Sequence, residues 1–207
     1  MKEKYLDDLQ EIRSIMERSK RFLSLSGAAG IAAGIFALIG AYVAYREIYF
    51  SGAIIYDSSS VQDYPLEVIK LLIIAIVVLL ASLGTGIWLS LRKAQKAGEA
   101  VWSPASKKLV THAMVPLVAG GLLILVLLNQ GHFGMVAGVS LIFYGLALFQ
   151  AGNFTFSDVK FLGLIEILTG LLAVANPGSG LYFWAFGFGV LHIIYGTIMH
   201  FKYDRNH

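Results

Sequence analysis

The chain has 207 residues, 57% of them hydrophobic and 14% charged, with a formal net charge of +3 and a mean hydropathy of +0.71. A water-soluble domain of this length and composition would leave a large apolar surface in water, so soluble enzymes and binding modules are excluded and a polytopic membrane protein remains. The absence of Cys also excludes disulfides, thiolate nucleophiles and Cys-ligated metals.

The predicted fold class is all-α: a polytopic membrane protein with six transmembrane helices, the last four as two parallel helical-hairpin repeats, plus a short cytosolic N-terminal amphipathic helix. Residues 1–21 form that first piece, where Tyr5, Leu9, Ile12 and Met16 recur at spacings of four, three and four. Acidic residues nearly balance basic ones there, which disfavours a helix held on a membrane surface by charge alone. The segment reads as a solvated helix continuing the first span downwards, two heptads being too few for a coiled coil, or its stripe is a contact for a neighbouring helix, a second copy or a cytosolic partner. A charged stretch before a long apolar run does not resemble a cleaved signal, so the first span is expected to stay as an anchor.

A spanning helix needs about 20 mostly apolar residues. Residues 22–45 and 71–91 meet that length and make a first hairpin, 22–91, with a long exoplasmic loop from about Arg46 to Leu66. Tyr49, Phe50, Tyr56 and Tyr64 in that loop read as interface aromatics, a ligand-binding lid being the alternative. Residues 92–108 read as a cytosolic linker on account of Gly98 and Ser103-Pro104. The remainder, 109–207, holds spans 109–128, 133–149, 161–175 and 181–201, the third of these short and interrupted by an acid. All sixteen Lys and Arg except Arg46 and Lys70 fall on one side of this arrangement, so the positive-inside rule places both termini in the cytoplasm. The net charge therefore reads as topology, with no nucleic-acid partner implied; the bilayer is the partner.

Residues 109–207 contain an internal repeat. Gly138-Val139-Ser140-Leu141-Ile142-Phe143-Tyr144-Gly145 matches Gly189-Val190-Leu191-His192-Ile193-Ile194-Tyr195-Gly196, and Gly121-Leu122-Leu123 aligns with Gly170-Leu171-Leu172. Each copy is a hairpin, turned at 129–132 or 176–180, and both begin inside, as parallel repeats do. Gly30, Gly34, Gly163, Gly170, Gly189 and Gly196 mark faces where helices approach closely. Pro116 lies inside the third span and frees the carbonyl of His112.

Glu166 is the one acid well inside an apolar span. Counting helical rise puts it about 15 Å below the outer end of the fifth span and His192 about 16 Å below the outer end of the sixth. A charged carboxylate at that depth costs about 2.5–3.5 kcal/mol or more, so it is expected neutral, paired or beside water. A Glu166–His192 contact sharing one proton is the candidate proton or ligand site, with Tyr144, Tyr195 and Thr169 as nearby hydroxyls. The alternative is a protonated Glu166 bonded to a hydroxyl or carbonyl, with His192 filling a polar niche. His112 and His200, near the cytosolic face, are candidates for a haem or a divalent metal, though interfacial roles suit them better. No zincin spacing, serine elbow or phosphate loop is present, so neither enzymatic activity nor a cofactor is expected.

The run Gly163-x6-Gly170-Leu171-Leu172, then Asn176-Pro177, then Gly187-x-Gly189-x6-Gly196 resembles the glycine-rich hairpin of the HdeD-type acid-resistance membrane proteins. The resemblance covers the last four spans. It implies six helices in three hairpins and a bacterial inner-membrane protein linked to envelope or acid stress, without carrying over any site residue. The expected function is accordingly a non-enzymatic, stress-associated or accessory membrane bundle. Its alternatives are a proton-linked small-solute carrier or sensor using Glu166 and His192, and a membrane-anchored interaction protein using the N-terminal helix.

Overall fold

Long apolar runs satisfy their backbone groups internally only as helices, and helices are what the computed structural model contains. It describes residues 25–50, 66–96, 98 and 102–204. The N-terminal stripe of Tyr5, Leu9, Ile12 and Met16 and residues 51–65 of the expected exoplasmic loop lie outside the described residues. In chain order the helices are α1 (Gly27–Phe50), α2 (Leu66–Lys96), α3 (Pro104–Asn129), α4 (Phe133–Ala151) and α5 (Asp158–Ala175). A final rod, Pro177–Asp204, follows. Among the described residues there is no strand.

The rod is not the single α-helix expected at 181–201. After a 3-10 turn (Pro177–Ser179) come α6 (Gly180–Trp184), a π-helical stretch (Ala185–Leu191), α7 (His192–Met199) and a π-helical turn (His200–Asp204). Five segments are long and apolar enough to cross a membrane: α1 to α4 and the rod. Six were expected; α5 does not qualify, because Asp158, Lys160 and Glu166 put three charged residues into its 18.

Helix ends also differ from expectation. α1 begins at Gly27 rather than at residue 22, with Leu25 and Ser26 non-helical. It runs on through Arg46 to Phe50, residues expected in the loop. The supposed linker 92–108 is mostly helical: α2 continues to Lys96 and α3 already starts at Pro104. A capping box explains that early start. Ser103 Oγ accepts from the Ser106 backbone N–H at 3.1 Å, and Ser106 Oγ accepts from the Ser103 N–H at 2.9 Å, with Pro104 in the first turn. Gly98, at φ +66°, supplies the left-handed residue between the two helices. α3 passes through Pro116 without a break and turns into α4 over Gly131, at φ +78°.

Small residues set the packing. A Cβ on Gly163 would lie 2.6 Å from the Gly145 carbonyl oxygen, and one on Gly170 would lie 2.7 Å from that of Gly138. α4 and α5 therefore touch backbone to backbone. This contact joins the two sequence repeats to each other rather than closing either one. The repeat-related glycines of the rod face α1 instead: a Cβ on Gly34 would lie 2.6 Å from the Gly189 carbonyl, and one on Gly196 would lie 2.6 Å from that of Gly27. α2 packs chiefly on α1 and α3 chiefly on α4, with no substantial contact between α2 and α3. Their outward faces are rows of Leu, Ile and Val, with Leu80 62% and Val115 68% exposed, a surface that suits lipid.

At one end, polar groups clasp the bundle. Asp204 accepts the Gly27 N–H at 2.9 Å, satisfying an orphan donor at the start of α1, and pairs with Lys93 of α2 at 2.6 Å. Lys93 also donates to the Leu25 carbonyl at 2.8 Å. Asp158, in the first turn of α5, accepts from Lys202 at 2.9 Å and from the Tyr203 hydroxyl at 2.8 Å. Partial burial pushes the Asp158 carboxyl up, but those two hydrogen bonds and the Lys202 charge outweigh it and hold the group below the ordinary carboxylate range.

Candidate functional site

Halfway along the rod the π-helical stretch widens the turn, and His192 uses the room. Its Nδ1 lies 3.0 Å from the carbonyl oxygen of Gly187, five residues earlier. A carbonyl only accepts, so Nδ1 carries a hydrogen. Nε2, at 2.8 Å from the Tyr144 hydroxyl, is then the acceptor of that hydroxyl's proton in a neutral imidazole. The tautomer thus follows from the Gly187 carbonyl. Phe188 stacks on the His192 ring at 6.1 Å and on Tyr144 at 5.0 Å, and Trp184 covers Phe188 at 5.1 Å.

Glu166 projects from α5 into this group and is completely buried. Its Oε1 stands 3.4 Å from His192 Nδ1, close enough for charge to matter and too far for a good hydrogen bond. Neither carboxyl oxygen has a hydrogen-bond partner. The fit depends on Gly187, where an added Cβ would come within 2.6 Å of Glu166 Oε2 and would also meet the Leu141 side chain. Leu141 is the repeat counterpart of His192, so the two equivalent positions flank one carboxyl, one apolar and one basic.

A buried ionised Glu166 facing a neutral imidazole would be a charge with neither counter-ion nor hydrogen bond, an expensive arrangement. Two states avoid it: carboxylic acid with neutral His192, or carboxylate with imidazolium. Both hold the same number of protons. Adding or removing one proton leaves an uncompensated charge, to be relieved only by water or by movement of the rod.

The other expected hydroxyls divide. Tyr144 joins the site directly, whereas Thr169 donates to the Ile165 carbonyl of its own helix at 2.8 Å. Tyr195, one turn beyond His192, keeps a buried hydroxyl without a hydrogen-bond partner. Its ring packs with Tyr203 against Phe156, Val159 and Met199. His112 bonds the Lys108 carbonyl and lies on Phe154, while His200 faces Asp204 at 3.3 Å. Each of these histidines thus has neighbours of its own, and no group of three metal-ligating side chains occurs among the described residues.

Sequence reasoning missed three contributors: Gly187, Phe188 and the π-helical turn that aims His192. The Gly187-x-Gly189 pair was the available signal for the first.

Between α2 and α3 lies a cavity of about 520 Å³, walled by α1, α2, α3, α4 and the rod. It runs from Leu128, Phe133 and Pro177, at one end of the bundle, to Ser82, Tyr144 and His192 at mid-depth. Polar groups continue on the opposite side of mid-depth, through Tyr195 to Asp158 at the Tyr203 hydroxyl. The cavity and these groups thus occupy opposite halves of the bundle and meet at His192. Scans against known protein families, curated proteins and solved structures find no match to this chain.

Proposed function

We propose that the chain is a six-span integral membrane protein, with α5 as the sixth span and both termini cytoplasmic, that works as a proton-linked carrier or sensor. Glu166 and His192 are its proton-holding pair and Tyr144 their link to the cavity. One observation carries this reading: a fully buried carboxyl without a hydrogen bond stands 3.4 Å from an imidazole that borders a cavity. Intramembrane ionisable groups are costly, and a bundle serving only as scaffold gains nothing from this one. The inner-membrane location and the acid-stress association suggested by the hairpin resemblance are in keeping with a proton-responsive role.

Trp184 reports on the site through Phe188. With Trp88 and Trp102 replaced by Phe, the emission of Trp184 is expected to change with pH in lipid nanodiscs, and Glu166→Gln or His192→Gln is expected to abolish or displace that change. An identical titration in both variants overturns the reading in favour of a stress-associated accessory bundle.

A further inference from the structure

The cavity's chemistry is uneven. About 520 Å³ falls within the range of small-molecule sites, roughly 300–1,000 Å³. Its walls are chiefly Ala, Leu, Ile, Val, Gly and aromatic residues, and among the described residues no Asp, Glu, Lys or Arg lines it. Its hydroxyls and imidazole lie at the mid-depth end. There Tyr144 spends its one proton on His192 Nε2, and Ser140 spends its own on the Ala137 carbonyl at 2.7 Å. Both hydroxyl oxygens therefore retain only lone pairs for anything else. Facing the same stretch of rod, α5 presents Glu166, α4 presents Tyr144, and α1 presents the backbone of Gly30 and Gly34. Entry is sideways: α2 and α3 do not close on each other, so the opening faces the surrounding lipid.

We infer that the cavity binds an uncharged molecule dissolved in the membrane, apolar along its length and ending in one hydroxyl, which donates to the Tyr144 oxygen. A charged head would meet no counter-ion on the walls, and a pure hydrocarbon would leave the acceptors at the closed end unused. A carbonyl head would find no donor on Tyr144 or Ser140, whose protons are already engaged. The inference names the ligand class of the site proposed above and rests on that reading for the cavity's role.

The probes are 12-bromododecan-1-ol and 1-bromododecane, whose bromine quenches tryptophan on contact. The protein is the full chain in nanodiscs with Trp88 and Trp102, both exposed, replaced by Phe. Bromododecanol is expected to quench Trp184 saturably, and bromododecane more weakly. Tyr144→Phe, which keeps the ring, is expected to weaken bromododecanol by roughly three- to tenfold, one hydrogen bond's worth. Gly121 lines the cavity and a Cβ there meets nothing within 4 Å, so Gly121→Leu begins in open space and is expected to fill the cavity and abolish saturation.

Linear, non-saturating quenching that Gly121→Leu leaves unchanged overturns the inference, as simple partitioning into lipid. Saturable quenching equal for both probes and indifferent to Tyr144→Phe also overturns it, the cavity then being a seat for bilayer acyl chains. So does loss of saturation in step with dimerisation measured by light scattering, since a second copy would be the occupant. The proton reading fails separately: a Trp184 titration unaffected by Glu166→Gln refutes it while leaving the quenching result intact.

Discussion

Glu166 occupies its position because Gly187 has no side chain. Gly187→Ala is expected to lower stability by about 1–3 kcal/mol, the usual cost of overpacking, read as a drop in thermal midpoint in detergent. Glu166→Ala in the same chain should recover part of that loss, because it vacates the volume the new methyl needs; strict additivity of the two changes would refute the contact. Tyr195→Phe is expected to be neutral or stabilising, since the hydroxyl it deletes has no hydrogen-bond partner. A loss above about 1 kcal/mol would mean that water or another group completes this hydroxyl. That Glu166 and His192 lie at one depth needs only the rise per residue along two antiparallel helices, a quantity that hardly varies, and so their nearness is readable without coordinates. The bond from Tyr144 and the contact with Gly187 depend on how the rod turns between Ala185 and Leu191, which no residue pattern announces.

At the scale of helices, glycine spacing identifies which faces are close but not which helix lies opposite. Gly138 and Gly145 share a motif with Gly189 and Gly196, yet one pair meets α5 and the other α1. The partner is chosen by the whole bundle. Gly170→Val is expected to destabilise, again by about 1–3 kcal/mol, because its Cβ would meet the Gly138 carbonyl, whereas Gly121→Ala, in open space, should be neutral or slightly stabilising. Helix ends were less legible than helix centres: hydropathy registers the apolar middle and passes over polar turns such as 104–108, which a capping box makes helical. Asp158 fixes the start of α5 to the end of the rod. Its carboxyl titrates below its ordinary value of 3.8, so its contribution is complete above that value and is lost as pH falls through the lower folded-state value. Thermal unfolding of the wild type should therefore weaken more steeply below about pH 4 than that of Asp158→Asn.

For the molecule as a whole, charge distribution carries the proposed orientation. The chain has no Cys, so single cysteines report cleanly. Ser179→Cys should react with a membrane-impermeant maleimide on intact cells, and Gln150→Cys only after lysis; the reverse pattern would invert the topology. Composition and hydropathy were enough to class the chain as a helical membrane protein, since both follow from the thickness and dryness of the bilayer. The opening between α2 and α3 was hidden because it arises where two helices fail to meet, and apolar residues that face lipid look the same in sequence as those that face a neighbour.

The clasp at Asp204 has a consequence for how the protein is made. Gly27 and Asp204 are separated by 177 positions, and the glycine face of α1 has its seat on the rod rather than on anything translated in between. The earliest of these helices must therefore wait in the bilayer, with only α2 for company, until the ribosome has delivered the latest. During that interval its Gly30–Gly34 ridge stands open to any other small-residue helix passing by.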